Sequence, residues 1–531
     1  MADDATAPRT GTAPDERDAG RLRLLALGGA VFAAVATLLA TWQGPGVNAD
    51  SVSYFSSGLH LAAGDGLTTF SGGVLTMFPP GLPAVVALGD LVGLAPGTTL
   101  RWVNAAAFAA IVWMAYLLLR RHVRSNTIVA TSIVFVSVGV PLLGVARMAL
   151  TECLFIVLSL GLLLVLERAV EARRPAGWVL AAAALVSAGF LLRYAGIALV
   201  PFGAFVLLVG RRSTGLVRAT VVAGAFSIAS MVVPALVMLR NHRVAGNLMG
   251  PRSPSPDGPI ITAQRFVATL GRWLLPDPTP RALQAAAGVA ALATAAGVLV
   301  WCAVGVERRR ALRWSPSPLV LVAFVVVYSG YLVAAQLMTA FDPIGTRLMS
   351  PLFVPLVVLV AALVDHVGDV VPVAQRQLLG RVALVGGVLL VAVQGVAFAA
   401  EVVESGRDGI DYSARDWQDS ELVRAAGEVP DEARLYSNLP AGMWAVLQRE
   451  PLVRSPEKSS RRGSERIAMS QEFLEAVACS DSYLAWSDEA EGDYLFTPDE
   501  LGEYVQLDVV DELDDGTLYR ITPIDADAVA C

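Results

Sequence analysis

LLALGGAVFAAVATLLATW, residues 24–42, is a run of 19 residues without a charged side chain. A helix rises 1.5 Å per residue, so this run is long enough to cross a hydrocarbon core about 30 Å thick. It exceeds the apolar core of a secretory signal peptide, which has about 7–15 residues, and no small-x-small cleavage site follows it. The run therefore predicts a retained membrane-spanning helix.

The rest of the chain extends this pattern. Hydrophobic residues make up 55% of the 531 residues and charged residues only 16%, with a mean hydropathy of +0.58. Ten further apolar stretches predict spans at residues 102–119, 127–145, 148–166, 175–192, 195–210, 219–239, 282–306, 318–338, 348–364 and 382–400. We expect an all-α polytopic membrane protein with about 11 transmembrane helices, followed by a small extracytoplasmic α/β domain at residues 401–531.

Arginine placement predicts the orientation of the spans, because short cytoplasmic loops are enriched in positive charge. The arginines recur at the start of the first span and then at every second connection: Arg21 and Arg23, Arg120, Arg121 and Arg124, Arg173–Arg174, Arg211–Arg212, Arg308–Arg310, and Arg376 with Arg381. These ends are predicted to face the cytoplasm, together with a disordered tail at residues 1–20. Eleven spans then place residues 401–531 outside the cell membrane.

Charge divides the chain in the same place. Residues 401–531 carry 30 acidic and 11 basic side chains, whereas residues 1–400 carry 17 acidic and 29 basic ones. No basic face typical of nucleic-acid binding is present in this pattern. Cys479 and Cys531 both fall in the acidic external part and could pair.

The first outer loop, residues 44–101, is long for a connection in a helix bundle. Residues 51–63 predict a short amphipathic helix, which Asp50 or Ser51 could cap. The segment at 78–97 opens with Pro-Pro-Gly-x-Pro and predicts a helix that lies in or dips into the outer interface. Asp50 is open to two interpretations, a helix cap or a general base at the level of the lipid headgroups.

The external part predicts a helix at Asp416–Ala426 and short apolar strands at Arg434–Ser437 and Tyr483–Trp486. A turn at residues 514–516 predicts a hairpin between residues 507–510 and 517–521. This order of elements indicates a small α/β domain.

Polar residues concentrate at the outer ends of the spans. Glu152 is predicted to lie about one turn into an apolar span, where an ionisable group is costly and marks a candidate functional site. It could instead simply pair with Arg147 or Arg193. A transporter or flippase of a lipid-linked or anionic substrate remains the alternative, but such proteins usually carry their polar residues in mid-membrane.

Several outer ends also carry arginine, although positive charge is depleted there. A guanidinium group binds phosphate through two parallel hydrogen bonds, so these residues could hold a lipid phosphate at the outer headgroup plane. Contact with anionic headgroups and snorkelling are the alternatives. The candidates are Arg193, Arg240, Arg252 and Arg347.

Six motifs in this order resemble the GT-C glycosyltransferases, in particular the protein-mannosyltransferase-like and aminoarabinose-transferase-like branch that uses polyprenyl-phosphate sugars. They are NADSVSYFSSGLHLAAGDG (48–66), FPPGLPAVVALGDLVG (78–93), ALTECLFIVLSLGLLLVL (149–166), RNHRVAGNLMGPR (240–252), GTRLMSPLFVPL (345–356) and DEARLYSNLPAGMWAVLQREPLV (431–453).

The resemblance implies that Asp50 is the catalytic base and that Glu152 positions the donor or acceptor. It implies that Arg240, Arg252 and Arg347 contact the donor phosphate, and its motifs bring Tyr54 and Asn241 into the expected substrate site. The family often has a second acid after the first-loop one, whereas Ser51 follows Asp50 here.

The expected partners are a polyprenyl-phosphate-linked sugar donor, a protein, lipid or glycan acceptor, and membrane lipid, with no nucleic acid. No His and Asp spacing typical of a metal site is present, so no cofactor is expected. Whether the protein uses a divalent metal ion is left open. The expected reaction is a single displacement that inverts the anomeric centre, and Glu152 leaves a second carboxylate nucleophile open as the alternative.

Overall fold

A computed structural model describes residues 16–308, 318–370, 373–459, 466–488 and 493–524. The membrane part of the chain is helical. Its helices are α1 Glu16–Ala40, α2 Ala49–Ala63, α3 Gly81–Asp90, α4 Pro96–His122, α5 Asn126–Ser137, α6 Val140–Ala146, α7 Glu152–Glu171, α8 Ala176–Leu192, α9 Leu199–Gly210, α10 Leu216–Ala245, α11 Pro259–Leu274, α12 Arg281–Arg308, α13 Leu319–Met338, α14 Thr346–Met349, α15 Phe353–Val370 and α16 Val373–Asp408.

The predicted multi-pass architecture is confirmed. Within the described residues, eight helical stretches are long and apolar enough to cross a membrane, and α8 and residues 194–210 are shorter apolar segments. Large apolar side chains such as Val217 and Val396 are 78% and 73% exposed, as expected for side chains that face lipid. The span predicted at 127–145 is interrupted at Val138–Gly139, and Pro141 stands in the first turn of α6 that follows, where proline is tolerated.

Two local features of the membrane part differ from the sequence prediction. Helix α1 begins at Glu16, so the end of the predicted 1–20 tail is helical, while residues 1–15 lie outside the described residues. Helix α11 stands where only a connection was expected. It packs closely on α12, since a Cβ at Gly271 would lie 1.9 Å from the carbonyl oxygen of Gln284.

The C-terminal part, residues 401–531, is called the external domain after its predicted location. Its described residues form ten short elements: α17 Arg415–Asp419, α18 Glu421–Gly427, β1 Arg434–Ser437, α19 Pro440–Leu447, β2 Leu452–Arg454, α20 Gln471–Cys479, β3 Ser482–Ser487, α21 Pro498–Leu501, β4 Val505–Leu513 and β5 Gly516–Pro523. The sheet has the order β2-β1-β3-β5-β4. Strand β1 is parallel to β2 and β3, whereas the β3–β5 and β4–β5 pairs are antiparallel. The predicted small α/β domain is therefore confirmed.

The predicted strands and hairpin match β1, β3, β4 and β5, but the single helix predicted at Asp416–Ala426 is wrong. It is divided at Ser420, whose hydroxyl oxygen accepts from the Val423 amide and so caps α18. A serine oxygen competes with the helical backbone in this way and favours a new helix start. The predicted Cys479–Cys531 pair falls partly on Cys531, which lies outside the described residues.

The external domain packs directly on α2. Val47 accepts a backbone hydrogen bond from Tyr412, and His60 Nε2 lies 2.9 Å from Glu450 Oε2. Apolar side chains of both parts, among them Phe55 and Trp444, belong to one buried cluster. The domain therefore holds both ends of the helix that carries Asp50.

Gly58 provides a test of this packing, because α2 and α3 approach each other at this residue. A Cβ at Gly58 would lie 2.5 Å from Val86 Cγ1 and 2.9 Å from the Pro83 carbonyl oxygen. We expect Gly58→Ala to destabilise the protein by about 1–3 kcal/mol, the usual cost of overpacking. Thermal unfolding in detergent measures this change.

Gly28→Ala is the matched control, because a Cβ at Gly28 would meet nothing within 4 Å. We expect an unchanged or slightly raised melting temperature, since alanine is the better helix former. Equal melting temperatures for both variants would mean that α2 and α3 separate without cost.

Candidate active site

One guanidinium group connects three acidic residues that are far apart in the sequence. Arg347, in the first turn of α14, places its Nε 2.6 Å from Glu152 Oε1, its Nη2 2.6 Å from Asp50 Oδ2 and its Nη1 2.7 Å from Asp342 Oδ2. The three carboxylates come from α2, from α7 and from the loop before α14. We call these residues, with Arg193, the carboxylate–arginine cluster.

Glu152 is the buried centre of this cluster. It is the first residue of α7, rather than one turn into a span as predicted, and its side chain is 1% exposed. Its Oε1 accepts from both Arg193 and Arg347, while its Oε2 is buried without a partner among the described residues. Arg147 is not its partner, because it contacts Glu401 and Ser405 instead.

Asp50 is available to the cluster because another residue caps its helix. The side-chain oxygen of Asn48 accepts from the Ser51 amide at 3.1 Å, so the predicted caps, Asp50 and Ser51, are wrong. Asp50 occupies the first turn of α2, where a carboxylate interacts favourably with the helix dipole. Its side chain is 29% exposed, unlike that of Glu152.

A short backbone pairing brings the two acidic helices together. Gly46 donates to Arg147 and accepts from Ala149, each at 2.8 Å, just before α2 and α7 begin. A Cβ at Gly46 would lie 2.5 Å from Met148 Sδ, so a larger residue there would require this side chain to move. Asp50 and Glu152 each follow this pairing within four residues, and this fixes their separation.

Burial raises the pKa values of two side chains on α2, Asp50 and Tyr54. It raises the pKa of the Asp50 carboxyl above its ordinary value, and the neighbouring Arg347 opposes this shift only in part. Burial also raises the pKa of the Tyr54 phenol, with a further contribution from the charge of Asp50. Tyr54 is therefore a neutral hydroxyl beside a carboxyl group that accepts protons more readily than a solvent-exposed aspartate.

A second group of predicted residues holds the first outer loop. Three side chains donate to three consecutive carbonyl groups: Arg240 to Leu75 at 2.7 Å, Tyr194 to Thr76 at 2.8 Å, and Arg252 to Met77 at 3.3 Å. Asn241 is 1% exposed and donates to the Tyr194 hydroxyl at 2.8 Å. We call Arg240, Asn241, Arg252 and Tyr194 the loop-holding cluster.

The two clusters meet at Arg193 and Tyr194, which are consecutive residues after α8. Arg193 contacts Glu152, whereas Tyr194 belongs to the loop-holding cluster. The structure thus brings Asp50, Tyr54, Glu152, Arg193 and Arg347 together. It places Arg240, Asn241 and Arg252 in the adjoining cluster.

The arginines differ in how much of their hydrogen-bonding capacity is used. Arg347 directs three of its five N–H groups to carboxylates. Among the described residues, Arg193, Arg240 and Arg252 each donate through a single terminal nitrogen. These three therefore keep more donors for an incoming anion than Arg347 does.

Two residues of the site were not singled out from the sequence as site residues. Asp342 lies five residues before Arg347, and its charge at an outer helix end was the available signal. Tyr194 follows Arg193 directly and gave no signal of its own. Among the described residues, no group of three or more His, Cys, Asp or Glu side chains is arranged to hold a metal ion.

Part of the chain matches a known protein family. Residues 78–238 match the family model described as dolichyl-phosphate-mannose-protein mannosyltransferase. The crystal structure of ArnT from Cupriavidus metallidurans bound to undecaprenyl phosphate aligns with a TM-score of 0.58 at 14% identity. The alignment covers 94% of this chain and 98% of that one. The chain has the GT-C fold.

Further structural matches agree with the GT-C fold. The apo structure of ArnT from Cupriavidus metallidurans gives the same TM-score of 0.58 and covers 95% of this chain and 98% of that one, again at 14% identity. The Archaeoglobus fulgidus oligosaccharyltransferase, in complex with Zn and sulfate, aligns with a TM-score of 0.51 at 12% identity. That alignment covers 80% of this chain and 62% of the other. No curated protein matches the sequence significantly.

The two acids that contact Arg347 should differ in their effect on stability. Removing the charge of Glu152 leaves two guanidinium groups facing a buried neutral amide, so we expect Glu152→Gln to cost about 3 kcal/mol. Asp342 is 56% exposed, so Asp342→Asn should change the stability by less than about 1 kcal/mol. Chemical unfolding in detergent measures both, and equal losses would contradict Glu152 as the buried centre.

Proposed function

We propose that this protein is an integral-membrane glycosyltransferase that transfers a sugar from a polyprenyl-phosphate donor to an acceptor hydroxyl or amine. The observation that carries the proposal is the shared guanidinium of Arg347, which joins Asp50 and Glu152 within a GT-C fold. The acceptor is a protein, a lipid or a glycan. Hexosyl and pentosyl donors both fit the proposal.

The reaction takes place on the extracytoplasmic side, and the arginine distribution supports this. Glu152 begins α7, whereas Glu167 near the other end of α7 pairs with Arg121 and His122. Fifteen residues of helix separate the two acids by about 22 Å. The arginine-rich end at residues 120–124 is the cytoplasmic one by the positive-inside rule, so the N-terminus is cytoplasmic and residues 401–531 are external.

Asp50 acts as the general base in this mechanism. An acceptor hydroxyl must lose its proton as it attacks the anomeric carbon, and a partly exposed carboxylate is accessible to that proton. Burial makes Asp50 more basic than an ordinary aspartate. Arg347 keeps the carboxylate oriented and offers its two remaining N–H groups to the donor phosphate.

The leaving phosphate gains negative charge as the glycosidic bond breaks, and cationic groups stabilise that charge. Arg193, Arg240 and Arg252 have the unused donors for this role, and Tyr54 near Asp50 and Asn241 beside Arg240 are the proposed substrate-binding residues. Guanidinium groups can supply this charge for a monophosphate, so the proposed steps need no metal ion.

A single displacement inverts the anomeric centre. Glu152 is the carboxylate that a double displacement would require as nucleophile. Its Oε1 is bound by both Arg193 and Arg347, and this pairing lowers its nucleophilic reactivity. Glu152 instead holds the two arginines in place.

Asp50→Asn tests the proposal. We expect it to lower kcat by about 10²–10⁴-fold, the usual contribution of a general base, while the protein stays folded. The assay follows the transfer of label from a panel of polyprenyl-phosphate sugars to membranes of the source organism. Asp342→Asn is the control, because Asp342 contacts the same Arg347 from a more exposed position. Full transfer by the Asp50 variant would rule out Asp50 as the base, whereas no transfer by the unaltered protein would favour a transporter or flippase.

The pH dependence of transfer provides a separate check. Asp50 accepts a proton only when it is ionised, so the rate should fall as the pH decreases through its pKa. Because burial raises that pKa, half of the rate should be lost at a pH above about 4, the ordinary value for aspartate. The pH profile of kcat/KM measures this acidic limb, and an acidic midpoint below 4 would argue against Asp50 as the base.

A further inference from the structure

A cavity of about 360 Å³ lies between the first outer loop and the external domain, apart from the two arginine clusters. This volume is at the lower end of the range for small-molecule sites. Four segments surround the cavity together with Phe55 of α2: residues 42–47 after α1, residues 95–101 at the start of α4, and residues 412–418 and 445–448 of the external domain. It is therefore formed jointly by the membrane part and the external domain.

Amide side chains are the most prominent polar groups of the cavity. Gln43, Gln418 and Gln448 all line it. Each primary amide offers two donors and one acceptor oxygen. Three such groups around one cavity suit a ligand with many hydroxyl groups, which both donate and accept.

Trp42 supplies an apolar face beside these amides. It lines the cavity, and 67% of it is exposed. An indole ring packs against apolar C–H faces and leaves the polar edges of a ligand free for hydrogen bonds. Sugar rings have such a combination of C–H faces and hydroxyl edges.

Arg101 is the single charged residue among the described residues that line the cavity. Its guanidinium lies over the Trp42 ring at 6.0 Å, and its Nη2 donates to the Leu38 carbonyl at 2.8 Å. Its Nε is buried without a hydrogen-bond partner among the described residues. The cavity therefore accepts neutral or anionic ligands, although the surrounding domain is strongly acidic.

We propose that this cavity binds the sugar rings of a carbohydrate chain. If the proposed transferase function holds, the bound chain belongs to the acceptor. Val47 lines the cavity, and the three residues from Val47 to Asp50 span at most about 11 Å between Cα atoms. A chain held in the cavity would thus extend close to the proposed base.

Binding is measured on the full-length protein in nanodiscs, without any donor. The soluble probes are α-1,6-mannotriose, maltotriose, cellotriose and trigalacturonate. Two lipid probes identify the source of the sugar: nanodiscs that contain a diglucosyl diacylglycerol, and nanodiscs that contain phosphatidylglycerol without glycolipid. We expect saturable binding of at least one saccharide or of the glycolipid, and at least tenfold weaker binding by Trp42→Ala and Gln418→Ala.

Trp102→Ala is the matched control, because Trp102 follows Arg101, is 57% exposed and does not line the cavity. It should bind like the unaltered protein. Equal binding by the Trp42 and Trp102 variants would overturn the proposal. Binding of phosphatidylglycerol alone, or of no probe, would also overturn it.

Asp50→Asn separates this proposal from the transferase function. We expect that variant to keep its saccharide affinity and to lose transfer. Saccharide binding without any transfer by the unaltered protein would refute the transferase function and leave the carbohydrate site standing.

Discussion

The arrangement of the helix ends around the carboxylate–arginine cluster depends on one guanidinium group that three carboxylates share. Glu152 is nearly inaccessible to solvent, and a buried carboxylate is tolerated only when it is paired. Arg193 and Arg347 provide that pairing, and Arg347 extends it to Asp50 and Asp342. Moving any of the helices concerned would leave a buried charge without compensation, so the cluster fixes their relative positions.

Backbone contacts support the same arrangement. The pairing of Gly46 with Arg147 and Ala149 joins the segments before α2 and α7, and Tyr412 of the external part donates to Val47 at 2.9 Å. His60 and Glu450 hold the other end of α2. The external domain therefore acts as a support for the helix that carries Asp50, and a cavity arises where the two parts meet.

The features predicted from sequence are those that a local pattern determines. Long apolar runs located the spans, and short apolar stretches with a turn located strands β1, β3, β4 and β5. The cap of α2 was missed because Asn48, Asp50 and Ser51 all carry suitable oxygens, and only the backbone geometry selects Asn48. Helix α11 was missed because its amphipathic pattern lies between two much stronger apolar signals.

Residue pairing was the least predictable feature, because it depends on tertiary geometry. Arg147 and Arg193 were equally plausible partners of Glu152 from their positions near span ends. Arg147 contacts Ser405 and Glu401 of α16 instead, so it does not pair with Glu152. Asp342 could be associated with Arg347 only once the loop before α14 was known.

The low identity to chains of the same fold has a physical explanation. A side chain that faces lipid must be apolar, but many apolar residues satisfy that requirement, so most span positions carry little information about chemistry. The rare polar residues at the outer ends are costly to bury and therefore need specific partners. In this chain those partners form two adjoining clusters joined at Arg193 and Tyr194. The chemistry of the protein therefore depends on these residues rather than on its spans.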